Sequence, residues 1–260
     1  MILSEATIMQ FLVDSLLAFC RISGMFAAMV GLSAKTIPTP IKSLLAVLLT
    51  LMILPMVPPS PVTDLVNAGT FVLMIQQIVI GVAIGFLSMM VLNTFVIAGQ
   101  IIAMQTGLGF ASIVDPVNGI NVPAVGQFYL ILATLLFWSL DGHLAMIQMI
   151  TMSFHAFPIS EGWWQPQQFQ AIAHWAAWMF TSAVIVTLAP IVSLLIVNLA
   201  FGVMTKAAPQ LNIFSIGFSI AQIMGLVIIW ITLANFVDHY QSQWQRAELM
   251  MCQLLRICGT

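Results

Sequence analysis

Charge is what this chain has least of. Six Lys or Arg and eight Asp or Glu amount to 5% of its 260 residues, while 61% are hydrophobic. Soluble domains carry about 25% charged residues. So little charge cannot solvate a globular surface of this size, and the sequence reads as an integral membrane protein. A net charge of −2 points neither to nucleic acid nor to an anionic membrane surface. Cysteine is also scarce. Cys20, Cys252 and Cys258 form an odd set without a C-x-x-C pattern, which argues against a disulfide framework or a zinc site. Enzyme signatures are missing: no H-E-x-x-H, G-x-S-x-G, P-loop or dinucleotide fingerprint occurs. No catalytic residue, metal or cofactor is expected. A cleaved leader would carry basic residues at its start, where Glu5 and Asp14 stand, so the first apolar segment is expected to remain as a helix.

Long apolar runs are what the chain has instead. A spanning helix needs about 20 mostly apolar residues. Six such segments are expected, at 8–32, 41–56, 65–104, 122–154, 171–205 and 213–237. They form three hairpin-like pairs, followed by a mixed, amphipathic tail at 238–260. The third and fifth are far longer than one span needs. Each must tilt, break or leave the membrane, and Pro190 within the fifth favours a kink. The fold class is therefore all-α: a polytopic membrane protein of about six long, partly broken helices. Lys35, Lys42 and Lys206 fall on the side of the odd-numbered loops and Arg246 and Arg256 on the other. That bias places the odd loops in the cytoplasm.

The stretch 99–128, GQIIAMQTGLGFASIVDPVNGINVPAVGQF, breaks the pattern. Its glycines and prolines punctuate a helix rather than extend it, so 106–123 reads as a non-helical loop. Leu108, Phe110, Ala111, Ile113 and Val114 would sit badly in water. Irregular backbone near a membrane is tolerated where protein covers it or where it lines a cavity. This loop is expected to turn inward and occupy a pore or an interface. Asp115 within it either caps nearby N–H groups or binds a cation or proton.

Few other polar groups interrupt the apolar runs. Arg21 costs about 2.5–3.5 kcal/mol at a helix centre on insertion scales. It reads either as a contact to a partner chain or as a side chain snorkelling to the membrane edge. Asp14, seven residues earlier, shares its helix face. Asp141-Gly142-His143 reads either as a proton relay or polar interhelical contact, or as a break in the fourth helix. Gly81-x-x-x-Gly85 permits close helix approach. Eighteen methionines suit a seal around a variable object or serve as ordinary filling. Trp163, Trp164, Trp175 and Trp178 fit an interfacial aromatic belt.

Four stretches in order, GQIIAMQTGLGFASIVDP at 99–116, GQFYLILATLLFWSLDGH at 126–143, SFHAFP at 153–158 and APQLNIFSIGF at 208–218, resemble the FliR family of flagellar biosynthetic proteins. The resemblance implies a subunit of the export gate of the bacterial flagellar type III secretion system, in the inner membrane at the flagellar basal body. It implies FliP, FliQ, FlhB and FlhA-type partners, unfolded flagellar export substrates and a helical stack of tilted hairpins around a pore. It also implies a FliP-like part at 1–170 and a FliQ-like hairpin and tail at 171–260. Gly107, Leu108, Gly109, Phe110, Ala111, Ser112, Ile113, Val114, Asp115 and Pro116 match the family's plug, which closes the pore from within. Arg21, Asp141, His143 and Lys206 are candidates for structural or interface roles. A virulence-type secretion subunit and a small-molecule or ion transporter are the alternatives.

Overall fold

The computed structural model describes residues 5–34, 37–62, 67–114, 121–159, 165–207 and 213–255. Among them are α1 (Glu5–Ala28), α2 (Thr39–Ile53) with a 3₁₀ turn (Leu54–Met56), and α3 (Ala68–Thr106). A second 3₁₀ turn (Leu108–Phe110) leads to β1 (Ser112–Val114) and β2 (Asn121–Pro123). Then follow α4 (Ala124–Ser139), α5 (Gly142–Ala156), α6 (Pro166–Ala207), α7 (Ile213–Leu233) and α8 (Phe236–Leu254). The polytopic helical class expected from composition is the one observed. Four helical segments are long and apolar enough to cross a membrane, or up to six if each of two bent helix pairs counts as one span.

Proline sets several boundaries. Pro40 lies in the first turn of α2 and Pro166 opens α6, places where a missing N–H leaves no helical bond unmade. Within α3 there is no proline and no charge over 39 residues, so nothing stops it for about 58 Å. The 42 residues of α6 continue as one helix past Pro190, about 63 Å. Both far exceed a hydrocarbon layer of about 30 Å.

Two expected segments end differently. The fourth is not one helix: α4 and α5 meet at a 64° bend. Asp141 sits at the bend with φ 57°, a left-handed backbone rare for a residue with a side chain. The sixth stops at Leu233, and α8 leaves it at 59°. Cys252 is disulfide-bonded, correcting the expectation from cysteine count. An odd number forbids pairing every cysteine but not pairing two. Cys20 is free.

The chain forms two compact units. The first comprises Met1–Met90, Phe137–Trp175 and Gln245–Thr260. Its core holds Leu17, Ile22, Met25, Ile84, Phe137, Met146, Ile150 and Phe154, none more than 1% exposed. Here α1 crosses α3 with the backbones almost touching. A Cβ on Gly81 would run into the carbonyl oxygen of Arg21, and one on Gly85 into that of Met25. From the opposite side, a Cβ on Gly24 would lie 2.7 Å from the Ile78 oxygen. The small-residue spacing is thus the contact surface itself. Nearby, Ser88 Oγ accepts the Val30 N–H at 3.3 Å. Asp14 does not reach toward Arg21. Its carboxylate accepts the Ser60 N–H at 2.9 Å and the Gln10 amide at 3.1 Å, tying the proline-rich turn to α1.

The second unit comprises Val91–Leu136 and Ala176–Trp244. In it α3 meets α4 at two glycines: a Cβ on Gly99 would lie 2.8 Å from the Gly126 Cα. An aromatic cluster holds the start of α8. Phe236 packs at a tilt on Phe95 (centroids 5.0 Å apart) and edge-to-face on Tyr129 (5.4 Å), and Tyr240 at a tilt on Phe95 at 5.7 Å. Such pairs contribute about 0.5–1.5 kcal/mol each beyond their buried area.

Gly81→Ala is expected to destabilise the protein by about 1–3 kcal/mol, because the clash is with backbone that cannot rotate away. Gly69→Ala on the same helix meets nothing within 4 Å and should be neutral or slightly stabilising. Thermal melting of both variants in detergent checks this. Parental melting of Gly81→Ala would show that the crossing is looser than described.

Candidate functional site

The expected loop begins where α3 stops. Gly107 takes a left-handed backbone, φ 75°, the usual glycine device for ending a helix. The Leu108 N–H is accepted by Thr106 Oγ1 at 3.4 Å, and the Ala111 N–H by the Leu108 oxygen at 3.0 Å. The chain then forms an antiparallel ribbon pairing Ser112 with Pro123, Ile113 with Val122 and Val114 with Asn121. The Ala124 N–H donates to the Ala111 oxygen at 2.8 Å and closes the stem. Among its described residues the loop holds no α-helix after Thr106, as its composition dictates, but the 3₁₀ turn and the ribbon at its base are not legible in the sequence. Asp115 and Pro116 lie outside the described residues, as do the side chains of Phe110, Ser112, Ile113 and Val114.

An apolar cavity of about 410 Å³ lies beside the stem, lined by Leu108, Ala111, Phe128, Leu226, Ile229 and Trp230. Gly109 packs under Met104, whose Sδ would be 3.0 Å from a Cβ there. Leu108 and Gly109 are half-buried and Ala111 is exposed. The ribbon pairs the facing N–H and C=O groups of its two strands and so leaves fewer backbone groups to be met by the surroundings.

Lys206 lies at the end of α6, exposed, beside a second cavity of about 620 Å³ that also reaches Thr106 and Gly107. A lysine in the last turn of a helix complements the negative end of its dipole.

Arg21 lies inside its own chain. Its side chain is 0% exposed. Nε donates to Gln77 Oε1 at 2.6 Å, and one terminal nitrogen to the Ser153 oxygen at 2.8 Å and its Oγ at 3.1 Å. The other donates to the Phe157 oxygen at 2.8 Å. The guanidinium carbon lies 4.2 Å from the Phe154 ring centroid. Two acceptors are carbonyls at the C-terminus of α5, so the cation caps that helix at its negative end. The snorkelling expectation is corrected. The guanidinium stays inside because its fork matches acceptors on α3 and α5 at once. Gln77 and Ser153 were missed from the sequence. An amide pair, Gln76-Gln77, inside an apolar run was the available signal.

Asp141 and His143 are not joined by a hydrogen bond among the described residues. Asp141 is exposed at the bend, and its backbone oxygen accepts the Leu144 N–H at 2.9 Å, starting α5. His143 packs on Trp138, ring centroids 4.9 Å apart, and its buried Nδ1 has no partner among the described residues. That indole in turn covers Gly31, where a Cβ would lie 2.6 Å from it. The pair therefore marks a helix break, the second of its two sequence readings.

Residues 12–247 match the family described as bacterial export proteins, family 1. The flagellar biosynthetic protein FliR of Pectobacterium carotovorum subsp. carotovorum is 35% identical over 228 residues, covering 86% of this chain and 87% of that one. That of Escherichia coli (strain K12) is 34% identical over 215 residues, 82% of each. That of Bacillus subtilis (strain 168) is 25% identical over 250 residues, 94% of this chain and 95% of the relative.

Arg21→Met should destabilise the protein by about 3 kcal/mol, since it strands Gln77 and the carbonyls of Ser153 and Phe157 while removing charge-assisted bonds. Arg21→Lys should recover only part, because an ammonium cannot span the same fork of acceptors. Melting temperature and monodisperse yield report both. Full stability of Arg21→Met would show that the network contributes nothing.

Proposed function

Because the chain belongs to the bacterial export proteins, family 1, we propose that it is a membrane subunit of the flagellar protein-export apparatus. In this reading it helps form the gate through which unfolded flagellar proteins leave. The loop from Gly107 to Pro123 closes the path from within. FliP, FliQ, FlhB and FlhA-type subunits are its partners, and the assembly sits in the inner membrane at the flagellar basal body. The 1–170 part acts as the FliP-like portion and 171–260 as the FliQ-like hairpin and tail. The subunit performs no catalysis of its own.

The observation that carries the plug reading is the closed stem. An apolar loop leaves a 39-residue apolar helix at Gly107 and is fastened at its base by the Ala124 to Ala111 bond and the three-pair ribbon. In this reading the loop moves about that stem while α3 and α4 stay helical. Its Leu108, Phe110, Ile113 and Val114 exclude water at about 25 cal/mol per Å² of apolar surface buried.

Helix length supports an assembly around the chain. A helix of about 63 Å would have to lie about 60° from the membrane normal to fit a 30 Å layer, whereas spanning helices tilt by about 0–40°. Along α6, Ile185, Leu188, Leu195, Leu199 and Val203 are each 56–67% exposed. That stripe is available to neighbouring subunits and lipid.

Deleting 107–118 in cells making the whole apparatus should leave assembly intact and let ions leak through the membrane. Membrane conductance and the mass of the purified complex test the two parts separately. An intact complex with unchanged conductance would refute the plug.

A further inference from the structure

The second unit holds a cavity of about 620 Å³ between the end of α3, the last turns of α6 and the start of α7. Three long polar side chains line it: Gln105, Asn198 and Lys206. All three are exposed, and none has a hydrogen-bond or ion-pair partner among the described residues. The hydroxyls of Thr106 and Thr205 are turned back onto their own helices, bonding the oxygens of Ala103 at 3.1 Å and Phe201 at 2.7 Å. The amide and ammonium donors are therefore left for something else. Among the described residues no carboxylate lines the cavity.

The surroundings say what kind of ligand fits. The remaining wall is apolar, including Met104, Phe201 and Ala221. On α6 the approach is apolar as well: Leu195, Leu199 and Val203 are 61%, 67% and 62% exposed. Exposed, uncommitted amide and ammonium donors beside such a surface are open to an acceptor carried on an apolar body. Space has also been kept. Gly202, inside α6, faces the cavity and would meet nothing within 4 Å if it carried a Cβ, although glycine is a poorer helix former than alanine. Apolar wall, then donors, then one cation at the helix end is the order of groups that an amphiphile presents in reverse.

We propose that this cavity binds the headgroup of an anionic phospholipid. The phosphate is held by Lys206 and the amides of Asn198 and Gln105, and an acyl chain lies along Leu199 and Leu195. The site rests on the chain's membrane setting and not on the export-gate reading. Loss of the plug effect would leave it standing, and its own failure would leave the gate untouched.

The full-length chain purified in detergent is titrated with short-chain phosphatidylglycerol, and thermal stabilisation is followed. Phosphatidylcholine of the same chain length and inorganic phosphate are the comparison arms. Phosphatidylglycerol should raise the melting temperature more than phosphatidylcholine, and inorganic phosphate should do nothing. Lys206→Gln should weaken the phosphatidylglycerol response about fivefold, the effect of one cation near an anionic headgroup, whereas Lys206→Arg should keep it. Gly202→Leu fills the cavity without touching Lys206 and should abolish the response while the unliganded protein melts no lower than the parent. An equal response to phosphatidylcholine, or an undiminished one in Lys206→Gln or Gly202→Leu, would overturn the site. Equal stabilisation by inorganic phosphate would make the ligand a soluble anion and overturn the lipid assignment.

Discussion

A single buried guanidinium organises the first unit. Arg21 takes an acceptor from α3 and three from the end of α5, while Phe154 lies under its charge. In an apolar surrounding such a cation is tolerated only where its donors are met, so the acceptors cannot drift. Their positions fix where α5 ends. The left-handed Asp141 fixes where it begins. At 15 residues, about 22 Å, α5 is too short to be placed by the membrane alone. Its two ends are set by the chain's own chemistry. The glycines on the α1–α3 crossing serve the same arrangement, since they bring the α1 backbone close enough to α3 for Arg21 to find Gln77.

The two longest helices, α3 and α6, are governed by length and by emptiness. Continuous apolar helices of 39 and 42 residues cannot be accommodated by lipid alone at ordinary tilts. Of the most apolar stretch of α6 only 17% is buried, against 67% for that of α3. One long helix is thus largely wrapped by its own chain and the other is left bare. A bare apolar helix of this length offers surface to neighbouring subunits and to lipid, which fits a subunit of a larger membrane assembly. The loop at the end of α3 leaves that helix at Gly107 and returns to α4 through a two-stranded ribbon.

Some errors of sequence reading have a common cause. Asp14 and Arg21 lie on one helix face, as seven-residue spacing requires, yet they serve different partners. Asp14 binds the turn at Ser60, and Arg21 binds α3 and α5. Helical periodicity gives a side chain its direction but not the element waiting there. The residues 122–154 looked like one apolar run because a bend needs only a few atypical positions. Asp141-Gly142 supplies them, and a Cβ on Gly142 would meet the Phe137 ring 2.5 Å away. The ribbon at 112–114 and 121–123 was hidden for a different reason. Its strands are three residues long, and so short a pairing is decided by how closely α3 and α4 deliver the two ends.

Composition by itself determined that this chain lives in a membrane, that it is helical, and that residues 106–123 interrupt the helices. Those conclusions follow from too little charge, long apolar runs, and glycine and proline where a helix cannot use them. Tertiary structure alone decided that Arg21 caps α5 and that Lys206, Asn198 and Gln105 share one cavity. Gln105 and Asn198 stand 93 positions apart in the sequence. Only the packing of helices against one another brings such groups together, because the partner of a buried or cavity-lining polar group is set by geometry across elements, which no local pattern encodes.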